Sequence, residues 1–148
     1  VGKPVFDWNI ADGIMREAEV LRIALCDEEL PYIVPVNFGY DGKAIYIHSS
    51  PKSRKLEIIR KNPNAAFEVD LDVRITQAER PCEWSMKYKS VVGRGKAEIV
   101  EDENGKLAAL KELTLHYKGK PENYNEAEVK HVAIIKITIE NMAARIAS

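Results

Sequence analysis

Between residues 20 and 49 the chain reads as three extended runs joined by short polar turns, which only antiparallel pairing can accommodate. Val20 to Leu25 is a compact strand-like run, closed by Cys26-Asp27-Glu28-Glu29. Tyr32 to Tyr40 is rich in β-branched and aromatic residues. Pro35 within it lacks an N–H and fits only at a sheet edge or a bulge. Asp41-Gly42 is a two-residue hairpin signal, and Lys43 to Ser49 is its returning strand. The three strands are expected to form a meander.

The flanking segments change period. Asn9 to Glu19 predicts a short helix, with Asn9 as N-cap and Ile10, Ile14 and Ala18 at four-residue spacing. A second helix is expected over Arg54–Lys61. It ends at Asn62-Pro63, because a proline ring disfavours helical geometry in the residue before it. Ala65 to Asp70 reads as a strand, followed by a mixed stretch with a loop around Glu79-Arg80-Pro81. Tyr88 to Glu101 alternates as a long strand in which Gly93 and Gly95 mark a bend or a close backbone approach. Asp102 to Gly105 is a turn, and Lys106 to Tyr117 is a helix with Leu107, Leu110 and Leu113 as its apolar stripe. Gly119 to Asn123 is a loop, and Val132 to Ile139 is the last strand. The expected fold class is α+β and mainly antiparallel β. About six strands would form a small barrel, with helices on its outside and ends, in one domain over 1–148.

Composition narrows the function. The 148 residues carry 22 Lys+Arg against 23 Asp+Glu, so the chain has no basic excess for phosphate backbones, and nucleic acid is not an expected partner. Apolar runs such as Val132 to Ile135 fall far short of the ~20 residues a membrane helix needs, so no membrane partner is expected. Two cysteines, Cys26 and Cys82, make neither a disulfide framework nor a four-ligand zinc site. The first residues lack the pattern of an export signal, so a reducing, cytoplasmic setting is expected. His116 and His131 have no metal-ligand spacing, and no metal is expected. Neither a P-loop nor a dinucleotide-binding glycine motif is present.

One stretch points to a ligand. Tyr46 to Lys55 is a strand end, a polar turn and a helix start bearing Ser53, Arg54 and Lys55. Free N–H groups at a helix N-terminus favour an anion, Arg54 adds a planar fork, and Lys55 adds a point charge. Two cations in the first turn oppose the helix dipole unless an anion sits there. The alternative is a solvated helix face.

The same run, from Lys43 through Ser53-Arg54-Lys55 to Asn62-Pro63, resembles the pyridoxamine 5′-phosphate oxidase-like flavoproteins. Ser90 to Glu98, with its Gly-Lys-Ala-Glu ending, is similar to a later strand of that family. The segment Pro31 to Tyr40, His48-Ser49, and the series Cys82, Ser85, Tyr88, Ser90-Val91 most resemble its 5-nitroimidazole-resistance (Nim) and flavin-nucleotide-binding branch. The resemblance covers about residues 20–140 and rests on the motifs jointly and in order.

It implies an FMN-binding split β-barrel, present as a homodimer with FMN at the subunit interface. Pro35, Val36, Asn37 and Phe38 would run beside the flavin ring, and His48 and Ser49 would lie near the ribityl chain and ring edge. Ser53, Arg54 and Lys55 would hold the phosphate, and Ser90 would stand where the oxidases usually carry a flavin-contacting Gln. The chain has Phe38 where those oxidases carry a Lys, and Ala143-Ala144-Arg145-Ile146 where they hold the substrate phosphate. The flavin site therefore transfers and the oxidase substrate does not.

His48 is the candidate catalytic residue, as an acid, base or donor near neutral pH, with simple packing as the alternative. Trp84, Met86 and Tyr88 would line the open side of the flavin or pack across the dimer. The expected function is an FMN-dependent oxidoreductase passing electrons to a small-molecule substrate, with a nitroaromatic as one option. A flavin-binding or redox-sensing module without turnover, and a haem- or deazaflavin-binding relative on the same barrel, stay open at this point.

Overall fold

The computed structural model describes residues 2–121 and 124–148. Eight strands and four α-helices follow in the order β1 (Pro4–Val5), α1 (Trp8–Glu17), β2 (Leu21–Asp27), β3 (Leu30–Val36), β4 (Gly39–Tyr40), β5 (Ala44–Ser49), α2 (Arg54–Lys61), β6 (Asn64–Thr76), β7 (Ser85–Val100), α3 (Glu103–His116), α4 (Glu126–His131) and β8 (Ala133–Ala147). The six longer strands match the expected number. β1 and β4, two residues each, are additions too short to leave a periodic signal.

All strand pairs are antiparallel, in the order β3-β2-β6-β7-β8-β5-β4, with β1 on the far end of β8. Six inter-strand steps at about 4.8 Å would separate β3 from β4 by roughly 29 Å in a flat sheet. Only Asn37 and Phe38 join these two strands, and three Cα steps span at most about 11 Å. The sheet must therefore curl until its first and last strands meet. The expected meander is corrected accordingly. β2–β3 and β4–β5 are hairpins at opposite ends of the strand order, and the expected Tyr32–Tyr40 strand breaks at Asn37-Phe38 to become the barrel's seam.

Alternation fills the interior. Leu21, Ile23, Phe67, Val69, Val91, Ile45, Ile47, Ile135 and Ile137 are enclosed, each contributing roughly 1.5–3 kcal/mol of apolar burial. Gly93 faces this core opposite Phe67, and a Cβ there would meet Phe67 Cζ at 2.3 Å. The glycine is required by the ring that lies over it. Next to it, the β7–β8 register slips between Arg94 and Gly95, which is the bend that the two glycines announced.

α1 is capped by Asp7, whose carboxylate accepts the Asn9 N–H at 2.9 Å, so Asn9 is inside the helix rather than its cap. Its buried face is Ala11, Ile14 and Met15, continued by Ala18. α2 spans the expected residues, buries Leu56, Ile58 and Ile59, and ends with Asn62 extended at φ −146° before Pro63. α3 buries Ala109 and Leu113, while Leu107 stays exposed. At 3.6 residues per turn a three-residue stripe drifts by about 60° per step, so four-residue spacing decides the face. α4, capped by Asn125, was not expected, since six residues are too few for a period to show. Glu122 and Asn123 of the Gly119–Asn123 loop lie outside the described residues. Among the described residues no helix is long and apolar enough to cross a membrane.

Candidate functional site

β3 and β5 do not pair; the chain after β3 meets β5 through the two-residue strand β4. The last rung is Gly39↔Tyr46. Beyond it no rung forms: the chain runs back through Phe38 and Asn37 to Val36 at the end of β3, and β5 runs on through Ile47, His48 and Ser49. His48 lies two residues past that rung on one side and Asn37 two residues before it on the other. β3 pairs only with β2, and Pro31 and Pro35 stand opposite Cys26 and Arg22. Proline cannot donate to a ladder, so both prolines blunt the free edge, as the sequence required of Pro35.

α2 follows β5 after a four-residue turn. Its start is built by a turn in which Ser53 N–H donates to the Ser50 carbonyl at 3.0 Å. Ser53 then caps the helix, accepting the Lys55 N–H at 3.3 Å. From the first turn Arg54 Nη2 donates to Asp27 Oδ2 at the end of β2, and Nη1 lies 3.5 Å from Glu57 Oε2. Asp27 thus holds the guanidinium above even its ordinary basicity. Lys55 is half-buried and forms no ion pair among the described residues.

Of the ten expected residues, Pro35, Val36, Asn37 and Phe38 follow one another into β4, and His48, Ser49, Ser53, Arg54 and Lys55 run from the end of β5 into α2. Pro35 and Asn37 are exposed, and Val36 is partly buried. Phe38 differs: its side chain is fully enclosed, its ring lies 4.2 Å from that of His116, and its N–H donates to Tyr117 Oη at 3.2 Å. Only its backbone remains to face a ligand. His48 is exposed at the end of β5 and its side chain makes no hydrogen bond to protein among the described residues, while Ser49 and Ser53 are partly buried.

Ser90 is the residue left apart. It sits on the outward face of β7 between Asp70 and Arg145, three strands from β3, or roughly 14 Å across the sheet. It is also the one polar side chain among the buried residues described, at 6% exposure. Beside it, Arg22 bridges Glu68 at 3.4 Å and Asp70 at 3.0 Å. Burial and the neighbouring Asp70 charge push the Glu68 carboxyl up, against the pull of Arg22.

Sequence reasoning missed Asp27 and Tyr117. Neither belongs to a motif, and both act through contacts set by the fold. Cys26 and Cys82 are both exposed, Cys26 on the outward face of β2. Trp84 and Met86 are nearly half exposed on the β6–β7 arm, and the Tyr88 hydroxyl accepts the Gly2 N–H at 3.2 Å. A concavity of about 650 Å³ lies elsewhere, lined by Ala24, Ala66, Arg94, Lys96 and Asn141. It holds none of the expected residues. It arises where small side chains line a curved outer face, and its size alone does not make it the site. A smaller cleft of about 380 Å³ borders the seam at Pro35, Val36 and Asn37.

Comparison with known proteins agrees with this fold. A solved structure from Bacteroides thetaiotaomicron, provisionally named a 5-nitroimidazole antibiotic resistance protein, is 28% identical with a TM-score of 0.86, covering 99% of this chain and 87% of that one. The FAD and heme binding protein of Mycobacterium smegmatis superposes with a TM-score of 0.87 at 20% identity, covering 99% and 74%. A FAD-binding protein of Mesorhizobium loti gives 0.72 at 23% identity, covering 100% and 99%. At those identities the last two show the fold alone. An uncharacterized protein of Rhizobium meliloti is 30% identical over 57 residues, which span 38% of this chain and 37% of that protein. The family described as pyridoxamine 5′-phosphate oxidase matches residues 7–146, and the chain belongs to that family.

Proposed function

We propose that this chain is an FMN-dependent oxidoreductase that works as a homodimer. The observation that supports the reading is the chain order at the seam: the polar start of α2 follows β5, and the proline-blunted edge of β3 leads into β4, which pairs with β5. Asp27 pairs with Leu30 at the α2 end of β3, and Arg22 with Pro35 at the other. The five residue steps from Arg22 to Asp27 span about 17 Å, comparable with the reach of an extended flavin mononucleotide. Ser53, Arg54 and Lys55 would take the phosphate. Arg54 must be shared with, or released from, Asp27, and its exposure makes that exchange inexpensive.

Bound there, the flavin would supply hydride and single-electron transfer. The chain's own part is to hold and tune it. The edge from Pro35 to Asn37 and the Phe38 backbone would flank the ring, Asn37 and His48 would supply hydrogen bonds at the mouth, and Ser49 would lie between ring and phosphate. His48, exposed and free of protein partners among the described residues, is the group available to hold or move a proton.

Apolar exposure on the outer face of the sheet supports the dimer. That face leaves Ile33 and Val92 exposed, with Trp84 and Met86 on the adjoining arm. The proposed acceptor is a small molecule of the nitroaromatic class, and relatives described as FAD-binding or as nitroimidazole-resistance proteins support the direction of this reading. The test is anaerobic: protein reconstituted with FMN is treated with NADH or NADPH, then with a nitroaromatic. Bleaching of the flavin band followed by its return is expected. Flavin that binds but is never reduced by either donor or a ferredoxin system would assign a carrier or sensor instead.

A further inference from the structure

The outward face of the sheet carries a row that runs straight across five strands. Ile33, Ala24, Ala66, Arg94 and Asn141 stand opposite one another from β3 through β2, β6 and β7 to β8. The two alanines, with Arg94 and Asn141, line the concavity of about 650 Å³. Beside them Leu30 and Ile33 are 70% and 69% exposed. Large apolar side chains left bare around a concave face mark a surface that another protein covers.

Charge divides the walls of this concavity by sign. Arg94 and Lys96 stand on β7, and Glu28 and Glu29 form the two-residue link between β2 and β3. Glu28 closes that link at φ 58°, a conformation that glycine adopts at less cost, and the turn sets two adjacent carboxylates at the rim. Arg94, Glu28 and Glu29 form no ion pair among the described residues, whereas Lys96 donates to Asn64 and lies 3.9 Å from Glu140. A small ion of either sign would find one wall attractive and the other repulsive. A second copy related by a two-fold rotation sets the cationic wall of each chain against the acidic wall of the other. Such self-complementarity is what an isologous contact requires. Alanines at its centre let two sheets approach as closely as face-to-face packing allows, about 10 Å.

We propose that this outward face is the homodimer interface, with Ala24 and Ala66 at its two-fold axis and Arg94 of each copy against Glu28 and Glu29 of the partner subunit. The inference rests on the homodimer reading above and is independent of the flavin. Sedimentation velocity of the full chain, with and without FMN, measures the dimer dissociation constant. Arg94→Glu should raise that constant about tenfold or more, because like charges then face each other, and the pair Glu28→Arg with Glu29→Arg should do the same. Combining all three substitutions restores contacts of opposite sign and should restore the dimer. Ala66→Trp, which adds bulk at the axis, should weaken it, and circular dichroism checks that each variant folds. A wild-type dimer indifferent to these substitutions, or a triple variant no tighter than the charge reversals alone, overturns the proposal and leaves the homodimer reading standing. A wild-type chain that stays monomeric with and without FMN overturns both.

Discussion

Arg54, in the first turn of α2, reaches across the end of the seam to the carboxylate of Asp27 at the end of β2. The contact joins the two sides of the opening and occupies the guanidinium that the proposed phosphate would use. An anion arriving at Ser53–Lys55 therefore competes with Asp27. Asp27→Asn should tighten FMN binding severalfold, with a larger gain at low salt, where exposed charges are least screened. Isothermal titration at two salt concentrations checks this, and weaker binding in the variant would mean that Asp27 orients Arg54 for the ligand rather than competing for it.

Gly93 gives a prediction about stability alone. Gly93→Ala places a methyl against the Phe67 ring and 2.7 Å from the Asn141 carbonyl oxygen. Backbone on one side and an enclosed ring on the other leave little room to yield, so the cost should be about 1–3 kcal/mol. Urea unfolding measures it, and a neutral result would mean that the Phe67 ring moves aside at no cost.

Glu68 should make stability fall with rising pH. Burial, then the Asp70 charge, raises its folded pKa above the unfolded value of 4.5. The penalty is absent below about 4.5 and present once pH has risen through the folded value. Glu68→Gln should therefore stabilise at pH 7, by less than about 1 kcal/mol because the side chain is a third exposed, and the gain should vanish near pH 4. Denaturant curves at the two pH values decide it.

Asp41 carries the opposite sign. Burial raises its carboxyl, but the Tyr46 hydroxyl at 2.7 Å and the N–H groups of Lys43 at 2.9 Å and Ala44 at 2.7 Å outweigh it and leave the group below 3.8. Its contribution is present above the unfolded pKa and lost as pH falls through the folded one. Asp41→Ala should cost about 1–2 kcal/mol at pH 7 and less at pH 2. Thermal unfolding across that range reads the convergence.

The parts of the fold legible in the sequence are those encoded by neighbours. Gly42, at φ 94°, turns the hairpin that Asp41-Gly42 announced, and α2 begins and ends where Ser53 and Pro63 require. The break at Asn37-Phe38 was not legible, since it follows from closing the sheet rather than from local preference. The same holds for the site. Ser53, Arg54 and Lys55 stand in one motif, but Asp27 joins them only because the β2–β3 hairpin returns beside α2. Phe38 lies within a recognisable segment, yet tertiary packing against His116 turns its side chain inward.

The central claim is that the seam binds a flavin phosphate through Arg54 and Lys55. Titration of cofactor-free protein with FMN, followed by quenching of flavin fluorescence, tests it most directly. Saturable quenching in the wild-type chain is predicted, lost in Arg54→Ala and in Lys55→Ala while both variants keep the wild-type circular dichroism spectrum. Unchanged FMN affinity in both folded variants, or no binding by the wild-type chain, would contradict it.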